Sequence, residues 1–159
     1  MIEPLDLQDD VTLQRVWQMQ QISYLIEAQW MQFEDIPPLI ESMEELRQNA
    51  EQFYGWYTSR GELAGVIAVE YKTLCELHIC RLMVRRDHFR QGIGRALMEY
   101  ILQTPGVERF TICTGVRNEP AMNLYSSLGF QKLYDEEIVP GIYLRTLEKK
   151  SDVHTPLIY

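Results

Sequence analysis

The sequence predicts a single α/β domain, a mixed and largely antiparallel sheet flanked by about four helices. Three observations carry that class. Residues 78–98 run HICRLMVRRDHFRQGIGRALM: an apolar strand-like stretch, a basic stretch leading into Gly92 and Gly94, and at once a helical pattern. Residues 53–72 and 130–148 each hold two β-prone runs broken by a turn signal, Ser59-Arg60-Gly61-Glu62 in the first and Pro140-Gly141 in the second, and read as hairpins. Elsewhere apolar residues recur at helical spacing between capping residues and prolines. At 159 residues the chain has material for one core and buries on the order of two-thirds of its unfolded surface. We assign residues 1–148 to the domain and 149–159 to a tail without periodicity.

Residues 1–5 read as a short strand that Pro4 confines to an edge or end. Asp9 or Asp10 caps a long helix to about residue 32, with Val11, Leu13, Val16, Trp17, Ile22, Leu25 and Ile26 near helical spacing. Pro37 and Pro38 end it in a loop, because proline lacks the donor and disfavours a helical residue before it. Ser42, with Glu45 three residues on, is a capping box for a second helix over about 43–52. After the first hairpin come a strand over 75–84, the glycine loop, and a helix over 94–103 that Thr104-Pro105-Gly106 stops. Residues 109–114 alternate like a strand that crosses over this helix to lie beside its predecessor, closing a βαβ unit. Asn118 and Pro120 open the last helix, and Gly129 ends it in the left-handed position.

Hydrophobic residues make up 46% and charged ones 24%, ordinary for a globular protein, and the net charge is −8. Such an excess of acid argues against nucleic acid or an anionic membrane as partner. The opening MIEPLDLQDD lacks the segments of a leader and no apolar run reaches membrane-spanning length, so a cytoplasmic protein is expected. Cys75, Cys80 and Cys113 lie in strand-like contexts without CxxC spacing and are expected as buried thiols; His78, His88 and His154 are too scattered for a metal site. Strand edges and the tail leave room for a homodimer.

The 78–98 stretch reads physically as an anion site. The first N–H groups of a helix have no partner inside it, and the helix dipole adds partial positive charge there. Glycine at 92 and 94 lets a ligand approach the backbone. Five arginines between positions 81 and 95 reverse the acidic balance locally, and Arg85, Arg90 and Arg95 offer charge-assisted donors to a pyrophosphate. Leu97 stands where a dinucleotide fingerprint wants its third glycine, and the Gly-Lys-Ser/Thr of a P-loop is missing.

Residues 82–98, LMVRRDHFRQGIGRALM, and 118–130, NEPAMNLYSSLGF, together resemble two elements of the GNAT superfamily of acyl-CoA-dependent N-acetyltransferases. The first is similar to the family's CoA pyrophosphate motif, the second to its N-x-x-A-x-x-L-Y-x-x-x-G-F helix beside the pantetheine arm. The inferred order of elements matches that fold from end to end. Phe89 departs from the pattern, standing where relatives usually carry Gln or Arg; one side-chain contact goes and the backbone cradle remains.

The resemblance implies a GNAT-type fold splayed at an acyl-CoA cleft, acetyl-CoA as co-substrate, an amine acceptor and no metal. It implies cofactor contacts from Leu82, Met83 and Val84 on the strand, from Arg90, Gln91, Gly92, Ile93, Gly94, Arg95 and Ala96 at the loop, and from Asn118, Ala121, Asn123 and Tyr125 on the last helix. A backbone N–H near Met83 or Val84, where the family's strand bulges, would polarise the thioester oxygen. Tyr125, two helical turns from Asn118, is the implied acid for the departing thiolate, with packing between Leu124 and Leu128 as the alternative. The base stays open between His78, where relatives often carry glutamate, and Glu76 on the same face, a plain structural histidine being as good a reading. An alkylammonium sits near pKa ~10.4 and an imidazole near ~6.5, so a proton must be taken before attack. The implied substrate wall is the first helical pair and its loop, with Glu27, Glu34, Asp35 and Glu41 among Tyr24, Trp30 and Phe33; carboxylates beside aromatic faces attract an ammonium, and a solvated acidic face is the equal alternative. A non-catalytic acyl-CoA-binding sensor on the same fold is the rival to an enzyme.

Overall fold

The computed structural model describes residues 1–31 and 41–152. In order these form β1 (Ile2–Leu5), α1 (Asp10–Met31), α2 (Met43–Arg47), β2 (Gln52–Tyr57), β3 (Leu63–Thr73), β4 (Glu76–Val84), a 3-10 turn (Arg86–His88), α3 (Ile93–Leu102), β5 (Arg109–Gly115), α4 (Glu119–Ser127), β6 (Gln131–Val139) and β7 (Ile142–Lys150). The described strands make one sheet in the order β1-β2-β3-β4-β5-β7-β6, antiparallel at every step but β4 with β5. The predicted mixed sheet with about four helices is what forms.

Alternate residues of the strands feed two hydrophobic clusters, one on each face. Ile67, Val69, Leu77, Ile79 and Phe110 meet Ile93, Leu97, Met98 and Ile101 of α3. Val66, Ala68 and Met83 meet Leu13, Val16 and Met19 of α1 and Leu46 of α2.

Asp9 is the cap of α1: its Oδ2 accepts from the Thr12 N–H at 3.0 Å and from Thr12 Oγ1 at 2.7 Å. Only some of the apolar residues predicted for that helix form its buried stripe. Leu13, Val16, Gln20 and Ala28 are buried, whereas Val11, Ile22 and Leu25 are more than half exposed. The stripe passes through a polar residue because the Gln20 amide is satisfied inside, by Arg81 and Glu41.

The Ser42/Glu45 capping box forms, but α2 stops at Arg47 rather than near residue 52. Asn49 Oδ1 accepts from the Glu51 N–H at 2.6 Å, a local turn that competes with the helix and delivers the chain into β2 at Gln52. At the other end β7 runs two residues into the expected tail, held by the Ser151 N–H to the Glu108 carbonyl at 2.9 Å.

Candidate active site

The site begins where the sheet comes apart. β4 and β5 pair in parallel from Glu76 with Arg109 to Ile79 with Ile112, and there the pairing ends, although β4 continues to Val84 and β5 to Gly115. On the other side of β4 the register against β3 slips, from Val69 opposite Ile79 to Ala68 opposite Arg81, so Cys80 is an extra residue. The bulge expected near Met83 or Val84 therefore lies at Cys80, one residue past the last β4–β5 rung. Beyond it the Arg85 N–H bonds the Ala64 carbonyl at 2.8 Å. By antiparallel alternation Met83 also turns its N–H to β3, whereas Leu82 and Val84 turn theirs toward the gap. The side chain of Met83 is buried in the α1 cluster, and those of Leu82 and Val84 pack against the α3 cluster.

At the mouth of the gap stands the glycine loop. Arg90 (φ 64) and Gly92 (φ 78) are both left-handed, and Gly92 is the N-cap of α3. A non-glycine residue in that region is a strained choice of the kind that clusters at ligand sites. The first intrahelical bond is Ala96 N–H to the Gly92 carbonyl, so the amides of Ile93, Gly94 and Arg95 precede the ladder. Gly94 is not required by protein packing, since a Cβ there would meet Leu124 and Val84 only at 3.7 Å, ordinary contact. Its missing side chain is what a backbone cradle for a diphosphate needs. His88, just before the loop, has a buried Nδ1 without a hydrogen-bond partner among the described residues. The residues present thus fit the diphosphate of an acyl-CoA.

The arginines are less available than their number implies. Arg85 bonds Asp87 at 2.9 Å, and Arg95 reaches Ser127 of α4 at 2.5 Å and Glu99 at 3.7 Å. Arg90, Gln91 and Gly92 are exposed, while Ile93 is core and Ala96 half-buried.

On α4, Asn118 and Tyr125 are both buried, and Asn118 is the N-cap, its Oδ1 accepting from the Ala121 N–H at 3.3 Å. The Tyr125 ring packs against Phe130, with centroids 6.1 Å apart. Ala121 packs against the α3 cluster, whereas Asn123 is exposed on the solvent side.

Of the two candidate bases, His78 lies one rung before the strands part and Glu76 three. His78 Nδ1 is 2.8 Å from Thr111 Oγ1, a partner that the sequence did not single out. Burial, then the nearby Lys72 charge, push the imidazole below its ordinary value, with Glu70 and Glu51 opposing. It is therefore neutral, and able to accept a proton, at neutral pH. Glu76 is instead paired with Arg109 at 3.5 Å. Burial and Glu51 push the Cys80 thiol up to about 12, which keeps it protonated. The cysteines are less buried than expected: Cys75 and Cys80 are half-buried, and Cys113, at the first β5 position past the last rung, is exposed.

Of the implied substrate wall, Phe33 and Asp35 lie outside the described residues, as do Glu34 and the side chains of Glu27 and Trp30. Tyr24 packs against the α1 cluster. Glu41 is not open to an ammonium, because it is held by Arg81 at 2.6 and 3.1 Å and by Gln20 at 3.0 Å. Two cavities of about 470 and 430 Å³ are both lined by Met19 and Ile22 of α1 and by Arg85, just past β4. Neither is lined by His78 or Tyr125, so strand geometry rather than the size of these hollows marks the site.

This architecture is shared by solved structures. The ribosomal-protein-S18-alanine N-acetyltransferase of Escherichia coli superposes with a TM-score of 0.76 at 19% identity, over 100% of this chain and 98% of that one. The spermidine N-acetyltransferase of Vibrio cholerae, in complex with CoA and spermine, does so with a TM-score of 0.73 at 15% identity, over 95% of each chain. In sequence, residues 13–130 match the acetyltransferase (GNAT) family, and the chain belongs to it. UPF0157 protein YqkA of Bacillus subtilis (strain 168) is 35% identical over 145 residues, which are 91% of this chain and 42% of YqkA. The ribosomal protein bS18-alanine N-acetyltransferase of Escherichia coli (strain K12) is 35% identical over 98 residues, 60% of this chain and 63% of that protein. The match thus spans less than two thirds of either relative.

Proposed function

We propose that this domain is a cytoplasmic N-acetyltransferase that moves an acetyl group from acetyl-CoA to a primary amine by direct attack in a ternary complex. The observation that carries the reading is the parting of β4 and β5 one residue beyond a neutral imidazole, with strand amides turned into the gap and a glycine-capped helix start at its mouth. Acetyl-CoA, when bound, supplies a thioester whose C–S bond breaks as the N–C bond forms. The amides of Ile93, Gly94 and Arg95 hold the diphosphate, and those of Leu82 and Val84 face the carbonyl oxygen. His78 takes the proton that the nitrogen loses, and Tyr125 gives one to the departing sulfur. Overall an ammonium and acetyl-CoA become an amide, a CoA thiol and one released proton.

The acceptor class rests on charge and on relatives. A chain of net charge −8 favours cationic acceptors. The names of its structural neighbours include a protein alanine and spermidine, both amines. We infer a small cationic amine or a peptide amine. Acetyl-CoA-dependent thiol release across a panel of both classes, run beside calorimetric titration of acetyl-CoA, tests this. Turnover with one class is expected; tight binding with none turned over would favour the sensor.

Two variants bear on the roles. Tyr125→Phe is expected to lower kcat on the order of tenfold with acetyl-CoA affinity unchanged, since a thiolate leaves readily even without an acid. An unaltered kcat at saturating substrates would return Tyr125 to packing. His78→Gln is expected to lower kcat/KM for the amine by on the order of 10²-fold. The His78 pKa is depressed, so the active neutral form is complete at neutral pH and is lost as pH falls through a value below ~6.5. A pH profile of kcat should show that acid limb in the wild type and lose it in the variant.

A further inference from the structure

We infer that Thr111 is a positioning residue for His78: its hydroxyl oxygen accepts the Nδ1–H and so leaves the lone pair on Nε2. The inference rests on the reading of His78 as base. Thr111 stands directly opposite His78 in the parallel register, and Thr111 Oγ1 lies 2.8 Å from Nδ1. Backbone pairing fixes the rung on both sides, since His78 also pairs with Glu70 of β3 and Thr111 with Glu148 of β7. Nε2 is not among the buried atoms lacking a partner, and no described residue bonds it. One ring nitrogen is thus held and the other left free, one residue before the strands part.

The direction of the bond follows from what a base must do. A neutral imidazole donates through one nitrogen and accepts through the other, and in water it prefers the proton on Nε2, the wrong form for a base whose Nδ1 is already held. When Nε2 takes a proton, both nitrogens become donors. A Thr111 oxygen that already accepts from Nδ1–H keeps its bond through that change; a hydroxyl that donated to Nδ1 would have to swing round at each turnover.

The charges around the ring are largely paired with one another. Lys72 and Glu70 of β3 lie 3.3 Å apart, and Arg109 of β5 is shared between Glu76 of β4 at 3.5 Å and Glu148 of β7 at 2.6 Å. Glu51, ahead of β2, is held by Arg81 at 2.9 Å. Among the described residues this leaves Thr111 as the direct partner that can select the tautomer.

Long-range proton–nitrogen NMR of the ¹⁵N-labelled chain tests this, because the chain has three histidines and His78→Gln assigns the relevant one. Neutral His78 is expected to be protonated at Nδ1. Thr111→Val should move the proton to Nε2 and lower kcat/KM for the amine by about tenfold, with the KM for acetyl-CoA unchanged, and Thr111→Ser should restore both. An Nε2–H form in the wild type, or a valine variant with the wild-type tautomer, would overturn the inference. A tautomer that moves as expected beside a His78→Gln protein of full activity would sustain the role of Thr111 on the ring and remove His78 as base.

Discussion

Gly92→Glu is expected to reduce CoA affinity at least ~100-fold, about 3 kcal/mol, while the domain stays folded. Gly92 caps α3 at φ 78, and a Cβ there would meet no atom within 4 Å. Protein packing therefore does not object to a side chain; the objections are the left-handed backbone, about 1–2 kcal/mol, and a carboxylate set where a diphosphate must lie. The strain alone should lower Tm by no more than about 8 °C. Gly92→Ala carries the same strain without charge or bulk, so it should lose a comparable few degrees yet keep most of its affinity. Calorimetric titration of CoA and a thermal melt of both variants separate the two effects. A glutamate variant that binds CoA like the wild type would remove the loop from the site.

What was legible in the sequence was local. A strand, two glycines and a helix within residues 78–98 are contiguous, and the conformations they need are dictated residue by residue, so loop and helix start could be read directly. The capping residues Asp9, Ser42 and Asn118 belong to the same class, because a cap acts over three residues. What was not legible depends on register. The bulge at Cys80 exists because β3 and β4 slip against each other, and nothing in either strand alone says where. Thr111 becomes the neighbour of His78 only through the crossover that brings β5 in parallel with β4. Before that pairing is known it is one more threonine in a β-prone run.

Glu41 and Gln20 show the same limit from the other direction. An acidic residue after a proline loop reads as surface, and a glutamine within an apolar helix reads as a break in the stripe. Both are instead ligands of Arg81, on a strand 40 and 61 residues away in sequence. In sequence the basic stretch reads as one anion-binding unit, yet only part of it is available: Arg81 faces inward, Arg85 is paired with Asp87, and Arg95 ties α3 to α4. Counting charges located the region. Partners decided which of them could meet a ligand.

Arg81→Met is expected to be strongly destabilising, costing about 3–5 kcal/mol. The guanidinium is 8% exposed and holds Glu41 at 2.6 Å and Glu51 at 2.9 Å, donates to Gln20 at 2.5 Å, and lies over the Phe53 ring at 5.6 Å. It joins α1, the approach to α2, the start of β2 and the strand next to the bulge. Burial works against its charge, but the hydrogen bonds to Glu41 and Glu51 outweigh that and raise its pKa further. Methionine keeps much of the volume and leaves two half-buried carboxylates without a cation, so Tm should fall by roughly 6–20 °C at pH 7. The pH dependence separates lost charge from lost packing. Burial alone would raise the Glu41 carboxyl, yet the bonds from Arg81 and Gln20 hold it below its ordinary 4.5. In the wild type that stabilisation is complete above about pH 4.5 and lost as pH falls through the lower folded value. In the variant burial acts unopposed on the Glu41 carboxyl, which then protonates more readily than in the unfolded chain, so acid relieves it. The gap in Tm between the two proteins should therefore narrow below pH 4.5, and adding Glu41→Gln and Glu51→Gln to the variant should recover part of the loss at pH 7. A gap independent of pH would assign the loss to packing around Phe53 and strip the ion pairs of their role in holding β4 against the α1 face.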